Sequence, residues 1–95
     1  FEMVAVHFKS GTDARSFGMR DRSFLALVEH AKAARRPLVV AGDFNTMGCE
    51  DCVPRVSAAE ERRLRDGALR TAGGDLVPDA PSCSHYYGET PGLLD

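Results

Sequence analysis

Alternating and periodic apolar positions divide the first half of the chain into a strand, a helix and a second strand. Between residues 2 and 10 both alternating sets of side chains begin apolar, which predicts a strand covered on both faces. Apolar residues then recur at helical spacing from Phe24 onward, which predicts a helix over about 19–34. Pro37 ends this helix and opens an apolar strand over 38–42. This order predicts a parallel crossover unit whose two strands end at the same edge of the sheet.

The second half of the chain predicts one further helix and a β-rich end. A loop over 46–56 leads to Ser57-Ala58-Ala59-Glu60, a capping box that predicts a helix reaching about Thr71. Gly73 and Gly74 end that helix. The remaining elements are expected to be a strand, a turn and the start of another strand, at residues 83–87, 88–92 and 93–95.

Size and charge limit the classes of protein to which the chain can belong. Its 95 residues support one domain at most, and the strand beginning almost at Phe1 suggests a piece of a longer protein. No apolar run approaches the roughly 20 residues that span a bilayer, so no transmembrane segment is expected. The net charge of -2 argues against a generally basic nucleic-acid surface. It leaves room for a local phosphate site, which needs only a few charged groups.

Three cysteines, Cys49, Cys52 and Cys83, leave several states open. The first two have Cys-x-x-Cys spacing, and the open states are a disulfide within this pair or from one of them to Cys83, free thiols, or a metal site. Structural zinc would need two more good ligands. A disulfide between Cys49 and Cys52 would favour an exported protein. A thiol-disulfide switch is less favoured, because the strand-to-helix setting of redox Cys-x-x-Cys motifs is absent.

Polar residues with complementary chemistry follow the two predicted strands. Asp43 and Asn45 would lie on one face, about 6.5 Å apart in an extended chain. His7 and Lys9 share a face at the corresponding end of the first strand. An acid, an amide, an imidazole and an ammonium would then meet at one sheet edge, where open sheets usually hold ligands. This combination suits phosphate-ester hydrolysis, and its oxygen ligands favour magnesium or manganese over zinc.

Each of these residues also has a purely structural interpretation. Gly-Asp-Phe-Asn after a strand is compatible with a simple turn in which the aspartate accepts a backbone hydrogen bond. A single histidine in a strand is usually half-buried packing, and a lysine at a strand end is usually solvated. Three arginines are expected on the outer surface of the first helix, where one of them could still reach a phosphate, namely Arg15, Arg20 and Arg22.

Taken in order, three segments resemble the endonuclease/exonuclease/phosphatase superfamily, which includes deoxyribonuclease I, abasic-site endonucleases, sphingomyelinases and inositol-phosphate phosphatases. Val-Ala-Val-His-Phe-Lys-Ser-Gly at 4–11 looks like the family strand that ends in His-Leu-Lys-Ser. Val-Val-Ala-Gly-Asp-Phe-Asn-Thr at 39–46 matches its Gly-Asp-Phe-Asn motif. Residues 84–95 are similar to the segment that leads to its Leu-Asp-His strand.

The resemblance implies an α+β fold: a partial four-layer α/β/β/α sandwich with a mixed sheet, of which residues 1–95 form one incomplete domain. It implies that Asp43 orients or deprotonates the attacking water and that Asn45 holds a phosphoryl oxygen, the two sharing contact with Mg²⁺ or Mn²⁺. His7 would stabilise the transition state, Lys9 would contact a phosphate, and Asp95 would hydrogen-bond the catalytic histidine.

The chain also departs from the family pattern. The metal-binding glutamate of the family lies in an N-terminal half that is not in this sequence, and its catalytic histidine follows the position of Asp95. Neither His30 nor His85 occupies a matching position. We therefore expect a metal-dependent phosphodiesterase or phosphomonoesterase as the full-length protein, while the isolated chain is inactive and self-associates. Nucleic acid is one candidate substrate among several. The alternative is a non-catalytic binding module that uses the loop 49–55.

Overall fold

Strands and helices alternate along the chain, as the apolar pattern predicts. The computed structural model describes residues 1–74 and the backbone of 85–87 and 90–92. This part is a small α+β domain with two parallel strands, two helices and a hairpin. No helix within it is long and apolar enough to cross a membrane. The elements are β1 (Glu2–His7), α1 (Ala14–Ala33), β2 (Leu38–Asp43), α2 (Ala58–Thr71), β3 (His85–Tyr87) and β4 (Thr90–Gly92).

β1 and β2 pair in parallel and finish together. Their register places Glu2 opposite Leu38 and His7 opposite Asp43. One residue further, the Phe8 amide donates to the Asp43 carbonyl at 2.9 Å. The prediction that both strands end at the same edge of the sheet is therefore confirmed.

The first helix begins five residues earlier than the apolar periodicity predicts. Asp13 caps it: its carboxylate accepts hydrogen bonds from the Ser16 amide at 3.1 Å and the Ser16 hydroxyl at 2.7 Å. The side-chain bond from Ser16, followed by its backbone bond, lowers the pKa of Asp13. An aspartate at this position accepts hydrogen bonds from amides that the first helical turn leaves without partners. The helix can therefore start before the first residue of the apolar stripe.

The second helix has the predicted capping box and end. The Ser57 hydroxyl accepts from the Glu60 amide at 3.1 Å, and the Glu60 carboxylate accepts from the Ser57 amide at 3.2 Å. The helix ends at Thr71, and Gly73 follows in a left-handed conformation that ends helices readily.

The hairpin differs in part from the prediction. β3 and β4 pair antiparallel, with Tyr87 opposite Thr90, so residues 90–92 form a strand and the expected turn over 88–92 is wrong. A proline is tolerated in an edge strand, where its missing N–H costs no ladder bond, so Pro91 does not prevent this pairing. The predicted strand start at residues 83 and 84 and the predicted strand at 93–95 lie outside the described residues.

The core lies between one face of the β1–β2 sheet and the two helices. Three phenylalanines meet edge to face, with ring centroids 5.3 to 6.4 Å apart. Phe8 directly follows β1, Phe24 belongs to α1, and Phe44 directly follows β2. Leu27 and Val28 of α1 complete the buried cluster. The core therefore joins the ends of both strands to the first helix.

The opposite sheet face is uncovered by the described residues. Met3 and Val39, which pair across the two strands, are 62% and 45% exposed. The prediction that the first strand is covered on both faces is thus wrong for the part of the chain that the structure describes. Both alternating sets are apolar, but the helices pack on only one of them.

A buried ion pair connects the two helices. The guanidinium of Arg20 donates to both carboxylate oxygens of Glu61, at 2.8 and 3.0 Å, and both side chains are 0% exposed. Arg65 donates to Glu61 at 3.1 Å and to Asp21 at 2.6 Å. The expectation that Arg20 lies on the outer surface of the helix is wrong. It precedes Phe24 by one helical turn, so it lies on the face that packs inward.

The same ion pair also fixes two loops. Arg20 donates to the carbonyls of Lys9 at 3.0 Å, Gly11 at 2.7 Å and Gly48 at 2.7 Å. Glu61 accepts from the Gly48 amide at 2.8 Å. The segments that follow β1 and β2 are therefore both hydrogen-bonded to one buried pair of charges.

Replacing Glu61 by glutamine should destabilise the protein severely, because it leaves the buried Arg20 charge uncompensated. We expect the free energy of unfolding to fall by about 3–5 kcal/mol, measured by urea denaturation. Glu60→Gln is the matched control, because Glu60 is exposed and glutamine also serves at its place in the capping box. Similar unfolding midpoints for the two variants would contradict a central role of the ion pair.

Candidate functional site

The end of the β1–β2 sheet brings His7 and Asp43 together. The two residues are register partners on neighbouring strands, whose backbones lie about 4.8 Å apart in such sheets. His7 is exposed and Asp43 is half-buried. An imidazole and a carboxylate thus lie side by side at the edge where their strands end.

Gly42 allows the two strands to approach at this point. Its φ is 138°, and a Cβ placed on it would lie 2.0 Å from the Val6 carbonyl oxygen. Any side chain would force the backbones apart, so the glycine of Gly-Asp-Phe-Asn is required by sterics.

Asp43 begins a tight turn. Its Oδ1 accepts a hydrogen bond from the Asn45 amide at 2.9 Å, the local bond by which aspartate stabilises turns. The predicted extended arrangement of Asp43 and Asn45, about 6.5 Å apart on one strand face, is wrong. β2 ends at Asp43, and Asn45 has a φ of 48°, so the chain leaves the extended conformation there.

Asn45 ties the two strand ends together. Its side chain is buried, at 4% exposure for the residue, and Nδ2 donates to the Phe8 carbonyl at 2.8 Å. A left-handed backbone at a residue other than glycine costs on the order of 1–3 kcal/mol, although asparagine tolerates it better than most. Asn45 therefore acts here as a positioning residue. Its direct contact with a phosphoryl oxygen or a metal stays a prediction.

A shallow groove opens beside His7, between the end of β1 and helix α1. Its volume is about 400 Å³, and the residues that line it are His7, Phe8, Lys9, Met19, Arg22 and Ser23. The predicted phosphate contact Lys9 lies just after β1, where its ammonium donates to the Ser10 carbonyl at 2.9 Å. The groove thus carries two cationic side chains and no acidic one.

Of the groove residues on α1, Arg22 is one of the three arginines of which the sequence predicts that one could reach a phosphate, whereas Met19 and Ser23 were not predicted. Met19, Arg22 and Ser23 stand at helical spacing of three and four, so they lie on one face. The signal for that face is this spacing itself, because the predicted helix over 19–34 already contains all three residues.

The loop after the site is closed by a disulfide. Cys49 and Cys52 are bonded, and Cys49, which is fully buried, forms a β-bridge with Val56. The Glu50 amide donates to the Thr12 carbonyl at 2.7 Å, which connects this loop to the start of α1. Of the alternatives left open, the disulfide is the state observed, so these thiols are not metal ligands here. Cys83 lies outside the described residues.

The described residues do not by themselves form a complete metal site. No group of three or more histidine, cysteine, aspartate or glutamate side chains converges within the described part of the chain. At the strand ends, one oxygen of Asp43 accepts the turn hydrogen bond, and the amide nitrogen of Asn45 is bound to a carbonyl. A resident Mg²⁺ would need oxygen ligands from elsewhere. The predicted site residue Asp95 and the side chain of His85 lie outside the described residues.

Comparisons with known proteins give no relative for this chain. No protein-family model matches it, and neither a search of curated proteins nor one of solved structures finds a match.

Substitutions at Asn45 should separate its backbone role from its hydrogen bond. Both Asn45→Gly and Asn45→Ala remove the bond to the Phe8 carbonyl, but only glycine adopts the left-handed conformation without strain. We expect the alanine variant to be less stable by about 1 kcal/mol in thermal or urea unfolding. Gly67→Ala in α2 is the control of opposite sign, because no atom lies near the added Cβ and alanine favours helices. An alanine variant as stable as the glycine variant would contradict the strained turn.

Proposed function

We propose that this chain is part of a divalent-metal-dependent phosphoesterase, acting on phosphodiester or phosphomonoester bonds. The observation that supports this most is the pairing of His7 with Asp43 at one sheet edge, beside a groove with cationic side chains. The motif resemblance adds to it, since the family places its catalytic groups at the ends of the corresponding strands. An acid and an imidazole on neighbouring strand ends can act on the same phosphoryl group and its attacking water.

In the proposed reaction, Asp43 accepts a proton from the attacking water as the water oxygen bonds to phosphorus. The ester oxygen–phosphorus bond breaks, and the leaving oxygen takes up a proton from solvent water. His7 stabilises the negative charge on the phosphoryl oxygens, and Asn45 holds the two strand ends in place. Asp95 is assigned, by resemblance, to hydrogen-bond the catalytic histidine. The Mg²⁺ or Mn²⁺ that the resemblance implies would neutralise developing charge, with its glutamate ligand supplied from outside this chain.

The four-layer sandwich is part of the same proposal. Parallel sheets are almost always covered on both faces, whereas Met3 and Val39 lie on a face that the described residues leave open. A second sheet, as in the superfamily fold, would cover this face in the full-length protein. In the isolated chain, we propose that a second copy covers it.

Activity of the full-length protein tests the proposal directly. With Mg²⁺ and bis(p-nitrophenyl) phosphate, Asp43→Asn should lower kcat at least about 100-fold, because it removes the proton acceptor. His7→Ala should lower kcat as well. Glu29→Gln is the matched control, because Glu29 is an exposed carboxylate on α1 outside the groove. The isolated 95-residue chain is expected to show no turnover. Turnover that survives Asp43→Asn, or turnover by the isolated chain, would contradict these assignments.

A non-catalytic binding module is the second candidate, and one observation favours it. Both Asp43 and Asn45 already serve the turn after β2, so the motif has a structural reason to exist without catalysis. In that case the full-length protein has no metal-dependent turnover, while Asp43→Asn still lowers its stability.

Self-association of the isolated chain should depend on the open sheet face. We expect sedimentation velocity to show concentration-dependent association that the double substitution of Met3 and Val39 by lysine weakens, because it places charge in the apolar contact. Leu64→Lys is the control, because Leu64 is 60% exposed but lies on α2. A monomer at all concentrations, or equal effects of both sets of substitutions, would rule out this contact.

A further inference from the structure

Met47 connects the loops that follow β1 and β2 through its sulfur atom. The Gly11 amide donates to Met47 Sδ at 3.3 Å, although the two residues are 36 positions apart in the sequence. The Met47 amide in turn donates to the Asn45 carbonyl at 2.7 Å. The acceptor that joins the two loops is therefore a thioether, which accepts hydrogen bonds more weakly than a carbonyl or a carboxylate does.

Both sides of this contact are held in place by the buried ion pair. Arg20 donates to the Gly11 carbonyl and to the Gly48 carbonyl, each at 2.7 Å. Gly48 directly follows Met47 in the chain. Gly11 is also tightly surrounded, because a Cβ placed on it would lie 2.6 Å from the Ser16 hydroxyl oxygen. The two loops therefore have little freedom to rearrange around the sulfur.

The sulfur of Met47 is the oxidisable group of its loop. Cys49 and Cys52 are already joined in a disulfide, so Met47 carries the reduced sulfur there. The residue is half-buried and thus partly accessible to a small oxidant. When a thioether lone pair attacks one oxygen of hydrogen peroxide, the O–O bond breaks. The proton on the attacked oxygen moves to the departing oxygen, which leaves as water, and the sulfur becomes a sulfoxide by losing two electrons to the peroxide.

A sulfoxide oxygen does not fit into the native contact. An oxygen acceptor needs about 2.9 Å to an amide nitrogen in addition to its own bond to sulfur, whereas only 3.3 Å separates the Gly11 nitrogen from Met47 Sδ. Oxidation therefore breaks this hydrogen bond or pushes the two loops apart. Either result weakens the connection between the chain segments that contain Lys9 and Asn45.

We propose that Met47 is a reversible oxidation site, at which hydrogen peroxide converts the thioether to a sulfoxide and thereby loosens the loops that follow β1 and β2. Methionine sulfoxide is reduced back by dedicated reductases, so the change is a switch and not only damage. The inference goes beyond the proposed function and does not rest on it, because the Gly11–Met47 contact exists whether or not the site is catalytic.

Limited oxidation with hydrogen peroxide tests this site. We expect peptide mass spectrometry to find a sulfoxide at Met47 in the folded protein. The thermal unfolding midpoint should fall by about 4–8 °C, the shift that losing one hydrogen bond produces in a domain of this size. Methionine sulfoxide reductase should restore the midpoint. By NMR, exchange of the Gly11 amide should become faster, while the Gly48 amide, which Glu61 holds at 2.8 Å, should stay protected.

Substitution of methionine by leucine identifies the residue responsible, because leucine keeps the volume and has no oxidisable sulfur. Met47→Leu should abolish the shift caused by peroxide. Met19→Leu should keep it and is the matched control, because Met19 is also half-buried but belongs to α1 and not to these loops. The Gly11 exchange measurement uses the native sequence, so it does not depend on how well a variant folds.

Several results would overturn the proposal. The first is the absence of a sulfoxide at Met47 in the folded protein while Met19 is oxidised. The second is an unchanged midpoint or unchanged Gly11 exchange after the sulfoxide has formed. The third is an equal peroxide-induced shift in Met47→Leu and in the native protein. A midpoint that the reductase does not restore would overturn the reversibility.

Discussion

The buried pair of Arg20 and Glu61 is the interaction on which the arrangement of the rest depends. It joins α1 to α2, and its remaining donors and acceptors bind the loops that follow β1 and β2. Two buried charges are tolerated only when each is compensated, so helices and loops must hold one geometry together. The ends of both strands, where the candidate site lies, are positioned by this same pair.

The candidate site combines constraints that are structural with groups that remain accessible. Gly42 has no room for a side chain and Asn45 bridges the two strand ends, so the backbone is fixed by packing and hydrogen bonds. His7 and the groove cations Lys9 and Arg22 lie outside that framework and are free to meet a ligand. A rigid turn below accessible polar groups is the arrangement that binding and catalysis both require.

The open sheet face makes the described part of the chain asymmetric. One face of β1 and β2 contributes to the core, while the other carries exposed Met3 and Val39. The hydrogen bond from the Glu50 amide to the Thr12 carbonyl holds the long loop near the start of α1, and the disulfide between Cys49 and Cys52 closes a turn within that loop, so this small core does not depend on apolar burial alone. His7 and Asp43 lie at the end of this same sheet, where its covered face and its open face meet. The asymmetry of the sheet therefore also concerns the proposed site.

Local patterns in the sequence determined the order of elements, the parallel pairing and the capping box at Ser57, because these depend on neighbouring residues and apolar periodicity. The meeting of His7 and Asp43 followed from connectivity, since a crossover brings both strand ends to one edge. Only the tertiary structure decided that Arg20 is buried, that Asn45 adopts a left-handed turn and that Arg22 faces a groove. These outcomes depend on partners distant in sequence, and a side chain's own identity does not reveal which partner it will meet.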